Sequence, residues 1–143
     1  MTNEIFSLAS SFPHFCNDLE ECNQITVRYG MELTEIQMKQ LYEERTVALK
    51  HCGRMEFGEN PVKKLVLAFC SSPYLSGDHP EETIAELLSV FYEWKNTTRE
   101  RVGDDELIEI MVDFFNGEAE GSITKMLDLT EEEILEYGMH REV

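Results

Sequence analysis

The chain has 143 residues, 42% of them apolar and 29% charged, with a formal net charge of −17. That length buries roughly two thirds of the surface of the unfolded chain, so a core forms without a metal or disulfide staple. The mixture is that of a globular protein, and its negative balance opposes direct binding to a nucleic-acid backbone, which needs clustered Lys and Arg.

After a short apolar lead (Ile5, Phe6, Leu8), Pro13 suits the first turn of a helix. Leu19, Cys22, Thr26 and Tyr29 then recur at helical spacing, so one stripe faces inward until Gly30 offers a left-handed stop. The next start has the fullest set of signals. Thr34 caps the free N–H groups, Gln37 reaches back three residues later, and Leu33 staples to Met38. The second helix runs to about Cys52 with a stripe of Met38, Leu41, Arg45, Ala48, Leu49 and Cys52, and Gly53 stops it. Arg45 within that stripe is read as a snorkelling stem.

Residues 54–60 read as a connection, and Asn60 before Pro61 gives a cap followed by a preset first turn. Val62, Leu65, Val66, Phe69 and Cys70 then form a full apolar face, which marks the third helix as central; Ser71-Ser72-Pro73 ends it. The loop 72–79 carries turn chemistry at nearly every position. It presents Tyr74 and Leu75, which either plug the end of the core or meet a partner. Asp78 with Glu81 around Pro80 reads as a second capping pair. It opens a fourth helix with the stripe Ile84, Leu87, Leu88, Phe91 and Lys95, widened by Tyr92 and Trp94.

Gly103 breaks that helix, and Asp104 is expected to cap a fifth bearing Leu107, Ile108, Met111, Val112 and Phe115, closed by Gly117. After a polar turn at 118–121, Ser122 caps a short sixth helix holding Ile123, Met126 and Leu127. Thr130 with Glu133, and Leu129 with Ile134, repeat the earlier start, and Gly138 is expected to stop a short seventh helix. The expected fold class is therefore all-α: one domain over residues 1–143, an irregular bundle of about five main helices plus two short C-terminal helices.

Charge is lopsided. Residues 1–72 carry seven Lys/Arg against ten Asp/Glu, whereas residues 73–143 carry five against nineteen, so the halves stand at −3 and −14. A basic protein partner, or simply high solubility, fits this field, with no direct nucleic-acid contact and no membrane. No apolar run approaches the roughly 18 residues that cross a bilayer, and the N-terminus lacks the pattern of a secretion signal. The expected location is the cytoplasm, where Cys16, Cys22, Cys52 and Cys70, lacking any CxxC pair, serve as small buried hydrophobes.

Catalytic templates mostly fail. GxGxxG, GxxxxGK[ST], HExxH, GxSxG and EF-hand patterns do not occur, and no His follows a Glu by three residues. Cys-His pairing is limited to His14 with Cys16 and His51 with Cys52, and neighbours on a helix point about 100° apart. Asp113, Glu118 and Glu120 offer oxygens for a weakly held divalent cation. No catalytic residue, metal site or cofactor is assigned. The surface residues assigned to partner binding are Tyr74, Leu75 and His79 in the loop and Asp104, Asp105 and Glu109 at the start of the fifth helix.

Three segments carry a likeness: Arg54-Met55-Glu56-Phe57-Gly58, Phe69-Cys70-Ser71-Ser72-Pro73-Tyr74-Leu75 and Asp104-Asp105-Glu106-Leu107-Ile108-Glu109. On these the chain resembles a family of small acidic bacterial proteins classed as a domain of unknown function, and the resemblance brings no activity, cofactor or site residue with it. The expected function is a non-enzymatic module that binds another protein through its acidic surface. The alternatives are an acidic mimic that occupies the groove of a nucleic-acid-binding protein, and a thiol or metal-dependent enzyme.

Overall fold

A computed structural model describes residues 2–56, 61–75 and 77–141, with the side chains of 2–11, 140 and 141 left outside the description. Among the described residues the chain forms seven α-helices and no strand: α1 Thr2–Thr26, α2 Glu35–His51, α3 Pro61–Phe69, α4 Pro80–Thr97, α5 Asp104–Asn116, α6 Ile123–Leu127 and α7 Glu131–Arg141. The all-α expectation holds. Helix α7 is longer than expected, and α6 is a single short turn.

The starts and stops follow local chemistry. Thr34 and Gln37 form the reciprocal capping box, with Gln37 N–H donating to Thr34 Oγ1 at 3.2 Å and Thr34 N–H donating to Gln37 Oε1 at 2.9 Å. Thr130 and Glu133 repeat it, and Ser122 Oγ accepts from Lys125 N–H. The cap expected from Asn60 lies outside the described residues.

Helix α1 differs from expectation at both ends. It begins at Thr2 and carries Pro13 inside, since the ring removes one backbone donor without stopping the turns on either side. Its last turn tightens to a 3-10 turn at Val27–Tyr29 before Gly30, at φ +82°, reverses the chain. Three residues per turn instead of 3.6 shift the phase, so Tyr29 leaves the stripe and lies 58% exposed while Thr26 is buried.

Helix α4 is the hub: α2, α3, α5 and α6 all pack on it, and α3 lies between it and α1. Val62, Leu65, Val66 and Phe69 of α3 and Ile84, Leu87, Leu88 and Phe91 of α4 are fully or almost fully shielded and belong to one continuous core. Burying such side chains contributes about 1.5–3 kcal/mol each.

Four further expectations change. Pro80 takes the first helical position of α4, as its fixed φ favours, so His79 rather than Asp78 is the capping position and its side chain makes no cap bond. Asp104 is likewise the first residue of α5, with Gly103 before it. Gly138 does not stop α7. A Cβ there would stand 2.8 Å from Ile110 Cδ1, so the glycine lets α7 approach α5 closely and the helix continues to Arg141. Leu127, expected to face inward, is half exposed.

Gly121 is required twice over, by φ +80° and by Tyr74, whose Cβ and Cγ would lie 2.7 Å from an added Cβ. Gly121→Ala is expected to lower stability by about 2–4 kcal/mol in urea unfolding, whereas Gly77→Ala, which meets open space, changes it by less than about 0.5 kcal/mol.

Candidate functional site

Two acidic clefts flank the core. The larger lies between α2 and α4, where Gln40 and Glu44 face Glu81, Glu82, Ala85, Glu86 and Ser89 across a groove of about 370 Å³. Glu82, Glu86 and Ser89 follow at i, i+4 and i+7, the spacing that places side chains on one helical face.

Gln37 links the capping box of α2 to this groove. Its Oε1 accepts from Thr34, and its Nε2 donates to Glu81 Oε1 at 2.8 Å. Glu81 is only 5% exposed. Its second oxygen, Oε2, has the His79 imidazole at 3.6 Å and accepts no hydrogen bond among the described residues. Among those residues Glu44, Glu81, Glu82 and Glu86 make no ion pair with Lys or Arg. The donor atoms of His79, Glu81 and Glu82 lie within 4.8 Å of one another, the one such grouping among the described residues. Asp113, Glu118 and Glu120 are not brought together in this way.

The second cleft, about 190 Å³, lies between the end of α5 and the start of α7 and is lined by Phe114, Glu118, Leu129, Glu133, Glu136 and Tyr137. The rings of Phe114 and Tyr137 meet edge to face at 5.4 Å. Burial, then Glu118 and Asp113, push the Tyr137 hydroxyl pKa up, so it stays a neutral donor beside three carboxylates. Residues 104–136 hold twelve carboxylates and a single cation, Lys125.

The surface residues expected to meet a partner are spread over several places. Tyr74 is 42% exposed and its ring meets Phe115 edge-on at 6.0 Å; Leu75 packs on the core. Ser72 Oγ donates to Asn116 Oδ1 at 2.6 Å and accepts from Tyr74 N–H, tying the loop to the end of α5. A small cleft of about 60 Å³ lies beside it. His79 stands at the mouth of the α2–α4 groove. Asp105 pairs with Lys64 at 2.9 Å and Asp104 with Lys95 at 2.8 Å, while Glu109 is exposed on α5.

Lys95 organises the α4–α5 corner. It is 7% exposed, donates to Val102 O at 3.0 Å, and pairs with Asp104 and Glu100. Arg99 and Glu100 both take left-handed backbone angles, φ 54° and 63°, at a cost of about 1 kcal/mol or more each. Glu100 also pairs with Arg54, whose Nη1 donates to Asn96 Oδ1, and Glu131 of α7 pairs with Arg101 and Arg99. Ion pairs from three parts of the chain thus hold the strained turn.

The thiols show no activation. Burial pushes Cys22 up to about 11, and burial with the Glu93 carboxylate, to which Cys52 Sγ donates at 3.2 Å, does the same for Cys52. Cys16 and Cys70 are also raised. A nucleophilic thiol needs the opposite shift. His14 lies 3.8 Å from Asp18, on the next turn of α1, and Cys52 turns to Glu93 rather than His51.

The fold and these clefts define a small all-α protein with acid-lined concave surfaces, and no helix among the described residues is long and apolar enough to cross a membrane. The chain belongs to a family of unknown function, DUF6323, whose model matches residues 18–141 and so contains all three segments that carry the likeness. Comparison with curated proteins and with solved structures gives no match.

Two outcomes are expected. The hydrogen bond and charge of Arg54, with Lys95 behind it, hold the Glu100 carboxyl below its usual range, against a smaller upward push from burial. A depressed carboxylate pKa gives stability that is present above the unfolded value, about 4.3, and lost as pH falls through the folded one. Thermal unfolding from about pH 6 down to pH 3 should therefore show a shallower loss in Glu100→Gln than in the parent. Gln37→Glu keeps the capping geometry but sets a carboxylate against buried Glu81. Denaturant titration at neutral pH should show a loss of about 1–3 kcal/mol.

Proposed function

We propose that the protein is a non-enzymatic interaction module that binds a basic segment of another protein across its acidic C-terminal half. The α5–α7 cleft carries this reading. Its floor is the Phe114–Tyr137 pair and its rim is Glu118, Glu133 and Glu136, a shape and charge suited to a lysine or arginine side chain. A cation over an aromatic face gains about 0.5–2 kcal/mol, and the rim carboxylates add steering and register. The wider field of residues 104–136 draws a basic partner in, and Glu109 on α5 extends the surface. Asp104 and Asp105 pair with Lys95 and Lys64 and contribute to that field.

The raised thiols and the scattered Cys and His side chains favour this reading over thiol catalysis. Tyr74 and Leu75 fit it as the edge of the core that supports Gly121 and the α5 end.

The test is titration of the immobilised full chain with a Lys/Arg-rich peptide at several salt concentrations. Glu118→Gln/Glu133→Gln/Glu136→Gln together should weaken binding at least about tenfold, while Glu20→Gln/Glu32→Gln/Glu43→Gln, equal in charge but elsewhere, should not. Equal loss in the two triple variants would reduce the attraction to net charge alone and overturn the reading. Binding of a basic nucleic-acid-binding protein that DNA displaces would move it to nucleic-acid mimicry.

A further inference from the structure

We infer that His79, Glu81 and Glu82 form a binding site for one divalent transition-metal ion at the mouth of the α2–α4 groove. This goes beyond the proposed interaction with a basic partner and stands independently of it, since it uses a different cleft and different residues.

Three observations converge. The first is the donor set: one imidazole and two carboxylates with ligand atoms within 4.8 Å of one another. A nitrogen donor beside carboxylates suits zinc, cobalt or manganese rather than calcium or magnesium, which prefer oxygen throughout. Binding at about 2.0–2.2 Å draws the donors to roughly 3–4 Å apart, and His79 and Glu82 both lie at the surface. The second is Glu81. Its side chain is more than nine-tenths buried, Gln37 fixes Oε1 at 2.8 Å, and Oε2 is left facing His79 without a hydrogen bond among the described residues. Glu81 is thus held in place on one oxygen and turned toward the imidazole on the other, as a metal-binding carboxylate must be.

The third observation is the surrounding field. Glu44 and Glu86 line the same groove, and no Lys or Arg among the described residues pairs with any of its four carboxylates. The N-terminus of α4 opposes a cation there, but a partial positive charge is small against four full negative ones in a concave site. Gln37 would then act behind the ligands: it orients Glu81 while being fixed itself by Thr34. Exposed acidic groups commonly stand together without an ion, and the burial of Glu81 is what separates this group from them.

The test uses the full chain, stripped with chelator, dialysed into chelator-free buffer and titrated calorimetrically with zinc chloride and, separately, cobalt chloride. One equivalent should bind, and His79→Ala and Glu81→Gln should each weaken it at least about tenfold while retaining the helical circular-dichroism spectrum. Glu20→Gln/Glu43→Gln should leave affinity unchanged. The cobalt complex should lack a thiolate charge-transfer band, which separates this site from the four cysteines. Absence of stoichiometric uptake, a thiolate band, or parental affinity in both variants would overturn the inference.

Discussion

A helix buried on most of its circumference must satisfy every polar group it carries inward, and that constraint on α4 shapes much of the molecule. Tyr92 donates to Glu56 at 2.6 Å, recruiting the connection after α2. Trp94 Nε1 donates to Met126 O, fastening α6. Lys95 reaches Val102 O and Asp104, fixing the start of α5, and Thr98 turns back to Trp94 O at the helix end. Glu81 takes its partner from the cap of α2. Glu81, Tyr92, Trp94 and Lys95 therefore each specify the position of a different neighbour. The apolar contacts supply the stabilisation and the hydrogen bonds supply the register.

This arrangement explains what was legible in the chain and what was not. Caps are local, so Thr34, Ser122 and Thr130 could be read from three or four residues, and the stripes of α3, α4 and α5 from their period. Errors came where two local signals competed. Asp78 and Glu81 matched a capping pattern, but Pro80 outranked them by fixing the first turn, which released Glu81 into the groove. Gly138 carried the sign of a stop, yet its role is set by Ile110, twenty-eight residues earlier, and no local rule contains that contact. Tyr29 was lost to a change of helical type within a single turn.

The candidate sites were harder to see for the same reason. The α2–α4 groove joins Gln40 and Glu44 to residues about forty positions later, and the α5–α7 cleft joins Phe114 to Tyr137 across two turns and a helix. Charge asymmetry pointed to the C-terminal half of the chain, where the α5–α7 cleft lies. It also drew attention to Asp104 and Asp105, which pair with Lys95 and Lys64. Abundance of carboxylates marked a region, and the folded chain shows which of them bridge separate elements.

The hydrogen bond from Trp94 has one more consequence. It is the chain's single tryptophan, almost wholly shielded, with its indole N–H on the backbone of α6 and its ring 6.5 Å from Phe114. Five residues are too few for a helix to persist by itself, so α6 exists because it docks. Nature has thereby placed an intrinsic fluorophore at the joint between the hub and its smallest element, and the colour of its emission reports whether the two are together.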